Sequence, residues 1–89
     1  MQATDKPRQS PEATHQMVEE EAILINLTTG SYYTLNDTGA MFWEMLDGQR
    51  SITDCAAAIA QEYEVETQVV EVDLLELATE LQAEGLLIA

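Results

Sequence analysis

The chain has 89 residues, 46% of them hydrophobic, with one Trp, one Cys, and 17 acidic residues against three basic ones, for a formal net charge of −14. That length supports one modest core, a single cysteine permits no internal disulfide and points to a reducing compartment, and so few cations argue against nucleic acid, whose phosphates need several Lys or Arg. No apolar run nears the roughly 18 to 20 residues of a membrane span, and MQATDKPRQS lacks the apolar stretch of a secretory signal, so a soluble cytoplasmic protein with no membrane partner is expected.

Residues 1–14 are polar, hold both prolines and show no periodicity, which predicts a disordered tail ahead of a single domain over residues 15–89. Lys6 and Arg8 fall in that tail, leaving Arg50 as the one fixed positive charge of the domain. HQMV, residues 15–18, reads as a short first strand. Ala22 to Leu27 follows as a second, with Ile23, Ile25 and Leu27 on one face and Leu24 and Asn26 on the other. Thr28-Thr29-Gly30 reads as a three-residue hairpin loop, Gly30 supplying a positive φ. In that register Leu27 lies opposite Ser31, Ile25 opposite Tyr33 and Ile23 opposite Leu35, gathering the apolar residues on one face. A slip of one residue would exchange the faces.

Asn36 is suited to N-cap the first helix, with Asp37 in its first turn. Phe42, Trp43 and Leu46 form its inward stripe, Gly39 allows close approach, and Asp47-Gly48 ends it. Ser51-Ile52-Thr53-Asp54 has the form of a capping box opening a second helix. Its stripe is Ile52, Cys55, Ala56, Ile59 and Tyr63. A third helix runs from about Glu66 or Thr67 to about Glu84, where Gly85 stops it before Leu86-Leu87-Ile88.

Little in the chain reads as catalysis. Cys55 lies on an apolar stripe with no partner to activate it, so it reads as a structural cysteine. His15 is alone, whereas a zinc site needs several ligands. No phosphate loop, dinucleotide fingerprint or nucleophile elbow is present, and paired carboxylates need a cleft to separate their pKa values. The expectation is a protein that is not an enzyme, with no cofactor and no metal.

The open question is the second strand of the hairpin. It is aromatic and no strand signal pairs its far side, so it presents an unpaired backbone ladder that can aggregate or be used. Tyr33 points to the core by the register argument, and Tyr32 points outward as an ordinary strand residue or an anchor for a partner. On the third helix Val70, Leu74, Leu77, Ala78 and Leu81 form the core stripe. Val69, Asp73, Glu76, Glu80 and Glu84 gather on one flank, with Val72 and Leu75 on the far side. These residues are either a solvated acidic flank with two stray hydrophobes, or the second wall of a peptide groove beside the open strand.

In order and spacing, three segments resemble the PqqD-like family, the peptide-binding domains called recognition elements for ribosomally synthesised and post-translationally modified peptides (RiPPs). They are Thr29-Gly30-x-Tyr32-Tyr33-x-Leu35-Asn36-x-Thr38-Gly39, then Trp43-x-x-Leu46-Asp47-Gly48, then Asp73-Leu74-x-x-Leu77-Ala78-x-x-Leu81 leading to Gly85-Leu86-Leu87. The resemblance covers about residues 18 to 88. It implies an α+β, winged helix-turn-helix-like fold, a three-stranded antiparallel sheet followed by three helices.

It further implies that the leader of a precursor peptide adds to the third strand, beside the third helix, and is presented to a modifying enzyme such as a leader peptidase or cyclase. By position, Ser31, Tyr32, Tyr33, Thr34 and Leu35 are the ladder, Asp73 the recurring acidic position of the last helix, and Leu77 the apolar position that follows it. Helix geometry adds Val69, Val72, Glu76 and Glu80. The chain lacks the Tyr-Pro-Glu-type hairpin of the protein acting in pyrroloquinoline quinone synthesis, and that protein's Cys before the Asp-Gly. Its hairpin is more similar to stand-alone members of lasso-peptide clusters. A leader-binding protein for another RiPP class, such as a radical-SAM-modified peptide, is the alternative. A winged-helix DNA-binding regulator is disfavoured because the second and third helices hold no Lys or Arg.

Overall fold

The computed structural model covers residues 1–89 and contains five strands and three helices. The strands are β1 (Arg8–Gln9), β2 (Ala13–Val18), β3 (Glu21–Asn26), β4 (Tyr32–Leu35) and β5 (Leu87–Ile88). The helices are α1 (Asp37–Glu44), α2 (Ile52–Tyr63) and α3 (Thr67–Ala83). β2, β3 and β4 form an antiparallel sheet in that order, the three-stranded sheet with three following helices that the sequence implies. β1 pairs with β5 in a second, two-stranded sheet.

The helix signals operate as read. Asn36 accepts from Gly39 N–H at 2.9 Å, and Ser51 and Asp54 form the reciprocal capping box, at 3.0 and 3.1 Å. Hydrogen bonding to the carboxyl from the Ser51 backbone N–H, and then from its side chain, holds Asp54 below its ordinary range. The core takes Phe42 and Trp43 from α1, Leu46 from the turn after it, Ile52, Cys55, Ala56 and Ile59 from α2, and Val70, Leu74, Ala78 and Leu81 from α3. Tyr63 departs from its expected stripe: it is 41% exposed and its hydroxyl donates to Asp37 Oδ2 at 3.1 Å. No helix is long and apolar enough to cross a membrane.

Two expectations need correction. The hairpin register differs by one residue: Leu24 pairs with Tyr33 and Ala22 with Leu35. β3 therefore buries Ala22, Leu24 and Asn26, while Ile23 and Ile25 are half-buried on the other face and Leu27 is 62% exposed. Asn26 is the physical reason. Its Oδ1 accepts from Thr28 N–H (2.9 Å) and Thr29 N–H (3.2 Å), building a four-residue loop, and its Nδ2 donates to Glu84 O at 2.9 Å. A buried amide with three bonds is satisfied, and it ties the hairpin to the end of α3. Gly85 admits it: a Cβ there would meet Asn26 Nδ2 at 2.9 Å, at φ +72°.

The segment 1–14, expected as a disordered tail, lies against the domain. Pro7 is buried, Gln9 Nε2 donates to Trp43 O at 2.9 Å, and Ser10 N–H donates to Leu86 O at 3.0 Å. Ile52 and Thr53 at the start of α2 donate to the carbonyls of Asp5 and Ala3, at 3.2 and 3.1 Å. These carbonyls satisfy N–H groups that a helix start leaves open. The polar N-terminal segment is thus held by hydrogen bonds to the domain rather than by an apolar stripe of its own.

Candidate functional site

β4 is one of the two edges of the three-stranded sheet, β2 being the other, and it is the one that lies beside α3. The phase of its ladder follows from one bond: Asn26 N–H donates to Ser31 O at 2.9 Å. Bonded and non-bonded pairs alternate along an antiparallel pair, so Leu24–Tyr33 and Ala22–Leu35 are the bonded pairs. Tyr32 and Thr34 therefore turn their N–H and C=O groups to the open edge. The side chains alternate as well. Tyr33 and Leu35 face inward, the latter fully, while Tyr32 is 75% exposed and Thr34 exposed.

The open edge is bordered by α3. Between them lies an open cleft of about 540 Å³. β4 contributes Tyr33, Thr34 and Leu35; the turn into α1 contributes Asn36, Thr38 and Gly39; α3 contributes Asp73, Leu74, Glu76, Leu77 and Glu80. Leu35 and Leu74 are buried and make an apolar floor, with half-buried Leu77 rising from it. Asp73, Glu76 and Glu80 are exposed along the helical rim. Gly39 lets the first turn of α1 close on Leu35, where a Cβ would meet Leu35 Cβ and Cδ2 at 3.2 Å.

One bond joins strand and helix across this cleft: the Tyr33 hydroxyl donates to Glu80 Oε2. Donating to a carboxylate holds the proton on the phenol. With burial and the nearby charges of Glu80 and Glu84, this pushes the Tyr33 pKa up to about 12. The residue is neutral across the physiological range, so the contact between the two walls does not switch there.

The sequence-predicted residues divide. Tyr33, Thr34, Leu35, Asp73, Glu76, Leu77 and Glu80 come together on the cleft. Ser31 and Tyr32 lie outside its lining; Tyr32 presents its backbone to the edge and its ring to the opposite face. Val69 and Val72, 57% and 58% exposed, line a separate shallow depression with Glu66, Gln68 and Asp73, so Asp73 borders both. Asn36, Thr38, Gly39 and Leu74 were not anticipated. The signal was present, because a helix beginning one residue after a strand must set its first turn beside that strand's end.

No three His, Cys, Asp or Glu side chains are grouped to hold a metal ion. Cys55 is fully buried, and burial pushes its thiol up, away from the reactive thiolate.

The sequence profile of the family described as coenzyme PQQ synthesis protein D (PqqD) matches residues 21–87. The chain belongs to the PqqD family. No curated protein matches the sequence. Among solved structures, TbiB1 in complex with the TbiA(beta) leader peptide is 29% identical, with a TM-score of 0.82 over 90% of this chain and 93% of that one. A lasso peptide synthetase B1 complexed with the leader peptide is 31% identical, with a TM-score of 0.82 over 94% and 99%. The PqqD truncation of Methylobacterium extorquens PqqCD, a stand-alone RiPP recognition element solved by NMR, has a TM-score of 0.84 over 99% and 94%. At 19% identity this last likeness speaks for the fold.

Proposed function

We propose that this PqqD-family protein binds the leader segment of a ribosomally synthesised precursor peptide and presents it to a modifying enzyme in lasso-peptide biosynthesis. The observation that carries the reading is the free edge of β4, with the N–H and C=O of Tyr32 and Thr34 open beside a cleft walled by α3. Likeness to two structures that hold leader peptides supports it.

In this reading the leader adds as a further strand against β4. Main-chain bonds at Tyr32 and Thr34 supply affinity that does not depend on leader sequence. Alternate leader side chains point into the cleft. There Leu35, Leu74 and Leu77 select an apolar residue, while Asp73, Glu76 and Glu80 favour a hydrogen-bond donor or a cation beside it. Val69 and Val72 extend the helical wall past Asp73, and Ser31 marks the loop end of the ladder. The protein contributes binding and orientation, and the chemistry belongs to the enzyme.

The direct test is calorimetric titration of the leader peptide encoded beside this gene. The expected result is binding tighter than about 100 μM, with chemical-shift changes at β4 and along α3 from Asp73 to Glu80. Absence of heat and of shift changes at that concentration would remove the proposal.

A further inference from the structure

The other flank of α1 carries a second cleft that leader binding does not use. It has a volume of about 640 Å³ and shares no lining residue with the first. Three of the four methionines of the chain line it: Met45 at 8% exposure forms its base, Met41 is half-buried, and Met17 stands 39% exposed at its edge. Tyr63, displaced from the core stripe of α2, leans on Asp37 at the rim. Four carboxylates surround these apolar groups, from Glu20, Asp37, Glu44 and Glu62. The one cation, Arg50, is already drawn to Asp47 outside the cleft, at 4.0 Å.

This is an apolar base within a rim of four carboxylates and a single arginine, a net negative charge. Thioethers are flexible and polarisable and adapt to partner side chains of different shape, and a tyrosine at a rim serves both apolar and polar contacts. Burying the methionines against an uncharged partner would leave carboxylates facing it without counter-charge, which costs. A second copy of this chain is disfavoured because each copy carries a formal charge of −14. The complementary surface has two or more apolar side chains flanked by Lys or Arg.

We propose that the methionine-lined cleft docks a cationic, apolar-anchored segment of a partner protein other than the peptide held at β4. Its position adds meaning to the presentation reading, on which this inference does not depend. The first turn of α1 borders the β4 groove through Thr38 and Gly39. Asp37, Met41 and Glu44 of the same helix line the second cleft. A protein seated there lies one helix width from a bound leader, about 10 Å, and can receive it while both contacts persist.

The test uses the full chain, methyl-labelled at methionine, and a synthetic peptide of about 14 residues, Leu and Lys at helical spacing. The expected result is that the Met17, Met41 and Met45 methyl signals shift while Met1 does not, and that the glutamate-for-lysine version of the peptide moves none of them. Glu44→Lys with Glu62→Lys, both exposed positions, should weaken binding on the order of tenfold. The same reversal at Glu66 and Glu84 should leave it within about twofold, separating a local site from general attraction to an acidic protein. Shifts confined to α3 around Asp73 and Glu80, equal weakening by both double variants, or no methyl shift would each overturn the assignment. Leader titration into the Glu44→Lys, Glu62→Lys protein reads the β4 groove separately, so failure of one site is distinguishable from failure of the other.

Discussion

The two clefts beside α1 solve recognition with different materials. The β4 groove offers backbone: two residues whose N–H and C=O groups point outward, with side chains arranged behind and across from them. The methionine cleft offers mainly thioether and carboxylate side chains, gathered from β2, the turn after it, α1, α2 and the loop between those helices. A backbone ladder accepts almost any extended chain and draws selectivity from a few pockets. A side-chain surface accepts only what matches its charge and its apolar base. The first suits a flexible peptide that pays an ordering cost on binding, and the second suits a preformed surface.

The contrast is most easily broken at Thr34. Its N–H faces the open edge, where proline is tolerated because no internal ladder bond is lost. Thr34→Pro should leave the circular dichroism spectrum native and weaken leader binding by about 2 kcal/mol or more, ~30-fold in Kd. Leu77→Glu comes next: it replaces the apolar wall of the groove by a fourth carboxylate and should cost ~10-fold in leader affinity by calorimetry. Met41→Glu is the converse. It should leave leader Kd unchanged within about twofold while removing the peptide-induced shift at Met17 and Met45. Loss of leader affinity in Met41→Glu would mean that α1 couples the two clefts.

What the sequence made legible depended on whether local chemistry or long-range pairing decided the outcome. The caps at Asn36 and Ser51, the stripe of α3 and the edge position of β4 are local patterns, and the structure keeps them except at Leu77, which leaves the core stripe to stand half-buried on the cleft. The inward set of β3 is not local. Ile23, Ile25 and Leu27 outscore Ala22, Leu24 and Asn26 in hydrophobicity, yet the second set is buried, because Asn26 builds the loop and reaches Glu84 across 58 residues of chain. Periodicity cannot weigh a buried amide with three bonds against a methyl group. The same blindness hid the order of residues 1–14, whose partners are carbonyl and N–H groups of α1, α2 and the C-terminal strand. On β4 the inward set, Tyr33 and Leu35, is the one expected although its partners shifted by one, so the expected groove survived an error in the strand beside it. The cleft was half legible: its α3 wall follows from periodicity, and its Asn36–Gly39 end only from the tight strand-to-helix connection.

The smallest effect concerns the contact that spans the β4 groove. Tyr33 is held neutral to about pH 12 chiefly by donating to Glu80. Glu80→Gln removes the charge and keeps the shape, so absorbance at 295 nm should show one of the three tyrosines titrating at lower pH in the variant than in the parent. The sign for stability follows from the direction of the shift. The folded pKa is raised above the ordinary value of 10.0, so the contribution is complete below pH 10 and is lost as pH rises toward 12. Between those values the parent should lose stability more steeply than Tyr33→Phe, which has no phenolic proton at that position. At neutral pH the exposed geometry limits the cost of Glu80→Gln, and the fold should be nearly as stable as the parent. Leader affinity is then the informative reading. If the bond sets groove width, Glu80→Gln binds more weakly and with a larger unfavourable entropy, because the walls must be ordered on binding. If the leader displaces the bond, the variant binds more tightly, and Tyr33 belongs to the pocket that the leader fills.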